Sequence, residues 1–599
     1  MPSPAELAVY ETFEDVFGRR STLDELIDDV RLFSQQSVLW VCAALVTGMQ
    51  LWNRPDLQPF DIYLRFLSLF FAGTLRGRLV AGYWNTDPKR FLFHRRQVLL
   101  ISKLAIRHCS GHGVDARFNA ERFGPILLKA NDQLHYDLLP AKPEPRAANR
   151  DDFARIVTEM VAVGEHTTPN ILNMITRSHL MLTRFLKELS DDPDFVDVAA
   201  EYRKATGLTI EEFESMIVGV HARFGEELVK KILVEPGSLP LRDANFNGTA
   251  IPAEKVRRFL DSLAADPGRM SKELDAKDQG PNDFTIFRKF PLVQQYYNMH
   301  LKTASCGFLM MDNLFFLEKI QAGPYWNASE IFGLKLRKFW GAVFETYVNE
   351  LMKRACAGSQ SAFIPDPRLV GDPHTQICDG IVVAADSVGL MEYKSSMFRA
   401  DTKYSGNHSI LADEIVRKLV HDKEDDENKG VWQLSEAVKK LFEPGSSISV
   451  QGIDISKIKR VYLYVLTLDS IGATIGMSPF LDTFLEEHLD RRKFPSIEIR
   501  PLFCTDIESL ETVTGFFGAS SLSQILEQWF QTNPSLTVPL LAVDLGKFPW
   551  RENGWLRAEW NGIYKSMIKI LFPDKDPDRA LADAMRRYEK GRETPIIPR

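Results

Sequence analysis

The residues of this chain that could do chemistry gather between Glu345 and Gln433. The segment TQICDGIVVAADSVGLMEYKSSMF (375–398) reads as two short strands about a turn built on Ala385, Asp386 and Ser387. It sets Asp379 on the first strand and Glu392 with Lys394 on the second. Side chains alternate along a strand, so Glu392 and Lys394 project from one face among apolar neighbours. The chemistry that suits this set is a divalent ion held by two carboxylates, beside a cation that steadies a water or a phosphate oxygen. Mg2+ keeps several of its waters, so two carboxylates from neighbouring strands are sufficient protein ligation. Such an ion polarises a phosphate and lowers the pKa of bound water, and a lysine can neutralise charge that develops in a partly desolvated site.

Several elements must position these groups. Asn327 with Glu330 reads as a capping box opening a helix that leaves at Ala357–Gly358, with Phe332, Leu336, Trp340, Val343, Tyr347 and Leu351 along one face. Glu345 falls on the margin of that stripe beside Gly341, Val348 and Met352, and Glu350 is the competing acid on the same helix. After the hairpin comes an acidic loop, HDKEDDENKG, and then a helix from about Val431 to Phe442 that carries Gln433. The apolar runs Arg460 to Leu468, Ile497 to Phe503 and Val538 to Val543 have the texture of strands in a sheet covered on both faces.

Upstream, the pattern to about residue 325 is mostly helical, with polar loops at 140–152, 236–252 and 271–284. Thr168 before Pro169, and Thr209 with Glu212, mark two helix starts. Past Gly546 an aromatic-rich helix, AEWNGIYKSMIKILF, precedes a charged end. The expected division is a mostly α-helical recognition or regulatory region (1–325), a catalytic α/β domain (326–546) and a C-terminal helical tail (547–599).

The order of these features resembles the PD-(D/E)XK, or restriction-endonuclease-like, nuclease superfamily. The segments that carry the resemblance are GAVFETYVNEL (341–351), ICDGIVV (377–383), LMEYKSS (390–396) and KGVWQLSEAVKKL (429–441). The resemblance implies an α/β fold: a restriction-endonuclease-like mixed sheet flanked by helices on an αβββαβ core, here preceded by the large mostly α-helical region. It would make Asp379 and Glu392 metal ligands, with the backbone carbonyl of Tyr393 as a third. Lys394 would position the attacking water or stabilise the pentavalent phosphate. Glu345 would bind a second metal or orient water, and Gln433 would touch the site or the nucleic-acid backbone. The implied cofactor is Mg2+, with Mn2+ as a substitute. The sequence departs from the family pattern where Cys378 precedes Asp379, while a literal Pro365–Asp366 lies upstream between prolines and reads as a loop. The implied activity is that of a metal-dependent endonuclease, with DNA favoured over RNA and, by analogy, a role in bacterial defence or a mobile element. The alternative is a non-catalytic nucleic-acid-binding or scaffold protein that keeps the fold.

Composition bounds the remaining classes. At 599 residues and 45% hydrophobic content the chain is long enough for several packed domains. A formal net charge of -7 means that contact with nucleic acid depends on local basic patches. The candidates are Lys335-Arg337-Lys338, Lys439-Lys440, Lys457-Lys459-Arg460 and Arg491-Arg492-Lys493. Six scattered cysteines suit reduced thiols and a cytoplasmic setting. The apolar run Val38 to Trp52 is interrupted by Gln50 and is shorter than the roughly 20 residues of a membrane span, so no membrane partner is expected. The HCSGH cluster (His108, Cys109, His112) lacks a second ligand pair and reads as ordinary residues at a helix end, and His374 reads as a loop residue. No P-loop, Rossmann glycine pattern or nucleophile elbow occurs. A second copy of the chain or a partner protein would dock through residues 1–325.

Overall fold

The computed structural model describes residues 9–52, 59–85, 90–109, 118–134, 149–164, 170–223, 238–297, 305–370, 372, 374–443, 450, 453–533, 536, 539–540 and 551–592. The chain forms two compact units, each assembled from separated stretches of sequence. The sheet unit draws on Asp137–Val198 and Ala328–Trp560, and the helical unit on Ala5–Tyr136, Ala199–Asn327 and Asn561–Arg599. This differs from the division at 325 and 546: residues 137–198 belong with the sheet, and the tail from Asn561 belongs with the helical unit. The reason lies in the core. Ala154, Val157 and Val161 of the helix Arg150–Gly164 are buried in one cluster with Ile381, Val388 and Leu390 of the sheet.

The sheet is mixed, in keeping with the α/β class. Its strands are β1 (Ala362–Pro365), β2 (Gly380–Ala384), β3 (Ser387–Lys394), β4 (Arg460–Thr467), β5 (Glu498–Ile499) and β6 (Phe503–Asp506). In space they run β1-β2-β3-β4, with β5 and β6 both along the outer edge of β4. The first three are antiparallel; β4 is parallel to β3, and β5 and β6 are parallel to β4. The β2–β3 hairpin turns on Ala385 and Asp386, and Ala385 takes φ 51°, a costly conformation for a residue with a Cβ.

Both faces of the sheet are covered, as its nearly unbroken apolar strands require. On one face Val388, Leu390, Val461, Leu463 and Val465 pack under the helices Arg150–Gly164, His408–Leu419, Gly430–Phe442 and Met477–His488. On the other, Tyr393, Tyr462 and Phe503 meet Phe344, Phe530 and Trp529. The helix that brings Phe344 is part of a long helical stretch, Asn313–Cys356, broken at Gly333 (φ 50°, ψ -117°). Asn327 and Glu330 therefore lie inside helix and do not open one, a correction to the capping box expected there. The exit does come at Gly358, which takes φ 73°. Leu336, Trp340, Val343, Tyr347 and Leu351 are buried.

The helical unit is not purely helical. Ala264–Ala265, Leu292–Tyr297 and Ser305–Met310 form a three-stranded sheet. The expected loop at 271–284 begins inside the helix Pro267–Lys277, because Asp266 caps it and Pro267 sits at its first turn. Thr209 and Glu212 do form the reciprocal capping box, each side chain accepting from the other's backbone N–H at 3.1 Å. The helix Ile171–His179 is capped by Asn170. Thr168 and the run 541–543 lie outside the described residues. Among those residues no single helix is long and apolar enough to cross a membrane. The apolar run from Val38 is core: Val38, Leu39, Cys42, Ala43 and Leu45 are fully buried.

Candidate functional site

The site forms where β2 and β3 part company. Gly380 pairs with Met391, yet the N–H of Asp379 also donates to the Met391 carbonyl at 3.0 Å. Asp379, just ahead of β2, and Gly380 thus both face Met391 of β3, the arrangement of a β-bulge, which re-aims a side chain at a strand end. The consequence is local. Asp379 Oδ2 accepts the N–H of Tyr393 at 2.6 Å, so the side chain of Asp379 takes the place of the next ladder rung. Gln376 Nε2 reaches Asp379 Oδ1 at 3.4 Å. Gly380 suits the close packing here, because a Cβ would stand 2.3 Å from Tyr393 Oη and 2.9 Å from Phe363, which would have to shift.

Glu392 and Lys394 continue the buried line of Val388 and Leu390, on the face covered by the Gly430–Phe442 helix. Lys394 Nζ donates to Glu392 Oε2 at 2.8 Å and to Gln433 Oε1 at 2.8 Å. Gly430 lets that helix begin against the lysine: a Cβ there would lie 3.2 Å from Lys394 Cε. The side chains of Glu392 and Lys394 are only 4% and 14% exposed. The chain beyond Lys394 is pinned, since Asp469 accepts the Phe398 N–H and the Lys403 ammonium, and Lys418 donates to the Met397 carbonyl.

Glu345 comes in on the helix against the opposite face of the sheet. Burial first, then the charges of Asp379 and Asp366, push its carboxyl up to about 7. Glu350 turns elsewhere: it accepts from Arg354 at 2.9 Å and lies 3.9 Å from Arg184. The helix is held in place by Tyr347, whose hydroxyl donates to Glu511 Oε1 at 2.6 Å, where Arg177 also donates at 2.7 Å. Asp366, the alternative acid, has its backbone N–H on the Asp379 carbonyl at 3.1 Å, but its carboxylate is bound by Arg368 at 2.8 Å.

The electrostatics are those of acids crowded together with too little positive charge. Burial, opposed by Lys394 and reinforced by Asp379, pushes Glu392 up to about 7. Burial would by itself lower the Lys394 ammonium, yet Glu392 and Asp379 hold it above its ordinary value. A divalent cation would relieve the repulsion. Asp379, Glu392 and the carbonyl of Tyr393 could hold it: in a strand the C=O points to the same side as the N–H, and the Tyr393 N–H faces Asp379. Among the described residues no group of three or more His, Cys, Asp or Glu could hold a metal ion, and the set that could is limited to two carboxylates and a carbonyl. That set suits a hard cation that keeps waters and does not suit structural zinc.

One basic cluster stands apart from these acids. Lys394 pairs with Thr467 at one end of β4, whereas Arg460 pairs with Ser387 at the other, about 23 Å away along the strand. Lys457-Lys459-Arg460 sits at that far end, and several of the cluster cations face acids: Lys439 with Glu436, Lys457 with Asp454, Arg460 with Glu498, Arg491 with Asp482 and Arg492 with Asp490. His374 is exposed in the loop before Asp379. Cys109 donates to the Val30 carbonyl at 3.3 Å, and His112 lies outside the described residues. Gln376, Gly430 and the Tyr347–Glu511–Arg177 network escaped the sequence reading, and only the glycine before an apolar helical run offered a signal. Comparisons with protein-family models, curated proteins and solved structures each return no match.

Proposed function

We propose that the sheet unit is a restriction-endonuclease-like nuclease domain that hydrolyses phosphodiester bonds of nucleic acid, DNA in preference to RNA, with Mg2+ or Mn2+ as cofactor. The observation that carries the reading is the convergence of Asp379 and Glu392 at a strand bulge with Lys394 bridging Glu392 and Gln433. The order of elements supports it: a helix, three antiparallel strands, helices and a parallel strand. Asp379, Glu392 and the Tyr393 carbonyl would hold the cation, which when bound would polarise the phosphate and acidify a water. Lys394, charged and largely dehydrated, would face the negative charge that grows on the phosphorane. Glu345, holding a proton up to about pH 7, would accept or deliver one at the rim of the site. Gln433 would fix the lysine. The helical unit would serve recognition, regulation or assembly, including contact with a second copy or a partner protein, and a setting in bacterial defence or a mobile element accords with that division of labour.

A second reading, a nucleic-acid-binding or scaffold protein that keeps the fold without the chemistry, is favoured by one observation: the lysine that would meet the phosphate is engaged by Glu392. Cleavage of plasmid and of labelled single-stranded substrates in Mg2+ separates the two. The hydrolytic reading expects Asp379→Asn and Lys394→Ala to lose about 100-fold or more. Equal rates in all three proteins would favour the second reading.

A further inference from the structure

The helix that carries Glu345 runs out of the site into solvent with a basic face. Leu334, Lys338, Gly341 and Glu345 recur at helical spacing and share a stripe about 60° wide, and Lys335 and Arg337 flank it about 80° to either side. Two contacts place this stripe at the end of β3. A Cβ on Gly341 would lie 3.7 Å from Ser395 Oγ, and Ser395 directly follows Lys394. Phe344, the neighbour of Glu345, meets the Tyr393 ring at 6.5 Å. A spacing of 3.7 Å is ordinary contact, so internal packing would accept a side chain at Gly341; glycine weakens a helix interior but leaves the stripe bare between Lys338 and Glu345. One turn further out Lys335, Arg337 and Lys338 are exposed, and Leu334 is 67% exposed. Among the described residues these three cations have no ion-pair partner, whereas Lys439, Lys457 and Arg460 face acids. No acid stands three or four residues from any of the three, and Lys335 and Lys338 are themselves a repelling pair at that spacing.

We propose that this face, with Lys338 on the stripe and Lys335 and Arg337 at its edges, is the track along which the backbone of a DNA strand runs into the acid site. The inference rests on the hydrolytic reading for the substrate class, and on helix geometry and unpaired charge for the path. Lys338 stands about 10 Å along the helix axis from Glu345, seven residues at a rise of about 1.5 Å. A strand of B-DNA presents a phosphate about every 3.4 Å, so Lys338 meets the phosphate about three positions from the one beside Glu345. Lys335 and Arg337, about 12–15 Å out, reach the phosphates beyond it. The track supplies the local basic patch that a chain of net charge -7 needs in order to hold a polyanion. It lies at the Lys394 end of the sheet, opposite the end where Arg460 pairs with Ser387.

The test is binding of a fluorescein-labelled DNA duplex to the full chain, read by anisotropy in a chelator so that no cleavage intervenes, over about 50–200 mM KCl. Wild type is compared with Lys338→Ala, with the triple variant Lys335→Ala, Arg337→Ala, Lys338→Ala, and with Lys457→Ala at the far end of the sheet as control. The triple variant should bind about 10-fold or more weakly, and its slope of log affinity against log salt should flatten by about 2 or more. Lys338→Ala alone should flatten the slope by about 1, and Lys457→Ala should leave it unchanged. Unchanged affinity and slope in the triple variant overturn the track, as does a wild type that binds no duplex. Should the triple variant melt early, Lys338→Ala carries the same test, a flattening of about 1 against none. Cleavage in Mg2+ is measured separately on wild type. If it does not cut while the variants lose binding, the hydrolytic reading fails and the track stands; if it cuts and the variants bind as it does, the track alone falls.

Discussion

Removing one charge from the acid cluster should change the stability of this protein in a pH-dependent way whose sign is fixed by the structure. Glu392 holds its proton from the ordinary 4.5 up to about 7, and Glu345 does likewise, each through burial with Asp379 adding to the effect. A folded state that keeps a proton the unfolded chain has lost is favoured below the unfolded pKa and penalised above it. Metal-free wild type should therefore lose stability as pH rises from about 4.5 to about 7, and no more beyond. A single carboxyl moved this far corresponds to on the order of 3 kcal/mol, and two that share a neighbour to less than twice that. Asp379→Asn keeps an oxygen for the Tyr393 N–H but removes the repulsion, so it should recover part of this loss, about 1 kcal/mol at pH 8 and nothing at pH 4.5. Urea unfolding of both proteins at the two pH values, with a chelator present, measures the difference. Adding Mg2+ should stabilise wild type above pH 7 and barely affect Asp379→Asn. If the variant is equally destabilised at both pH values, and wild type is indifferent to Mg2+, the carboxylates do not interact as described.

Other substitutions probe single contacts. Glu345→Gln should lower cleavage about 10- to 100-fold, as the loss of a group supporting a metal site does, while Glu350→Gln, whose carboxylate faces Arg354 and Arg184, should leave it nearly unchanged. Gly380→Ala should cost about 1–3 kcal/mol in chemical denaturation, since its methyl would meet Tyr393 and Phe363. A fragment beginning at residue 328 should fail to give a cooperative thermal transition, because the helix Arg150–Gly164 is missing from its core; Val157→Asp in the full chain should lower the midpoint of that transition sharply.

The hairpin bearing Asp379, Glu392 and Lys394 was legible because short apolar runs about a turn are local signals. Its registers then bring those residues together. The choice between Glu345 and Glu350 was not legible: it depends on which side of the helix meets the sheet and which meets Arg184, and that is decided by contacts distant in sequence. The kink at Gly333 was hidden by a capping signature at Asn327 that is helix interior, where propensity gives way to the surrounding helix. The joining of 150–164 to the sheet was equally out of reach, since an amphipathic helix declares that it has an apolar face but not what it will cover. One basic cluster that looked like a phosphate contact, Lys457-Lys459-Arg460, proved to sit at the far end of the sheet with Arg460 beside Glu498, a matter of register and not of composition.

The proposed chemistry turns on one cation between two strands. Crystals soaked in Mn2+ and measured at its absorption edge test this directly. The prediction is an anomalous peak about 2.1–2.3 Å from a carboxylate oxygen of Asp379, one of Glu392 and the Tyr393 carbonyl, and no such peak in Asp379→Asn. A map without a peak at those oxygens at saturating Mn2+, with Lys394 still bound to Glu392, would contradict it.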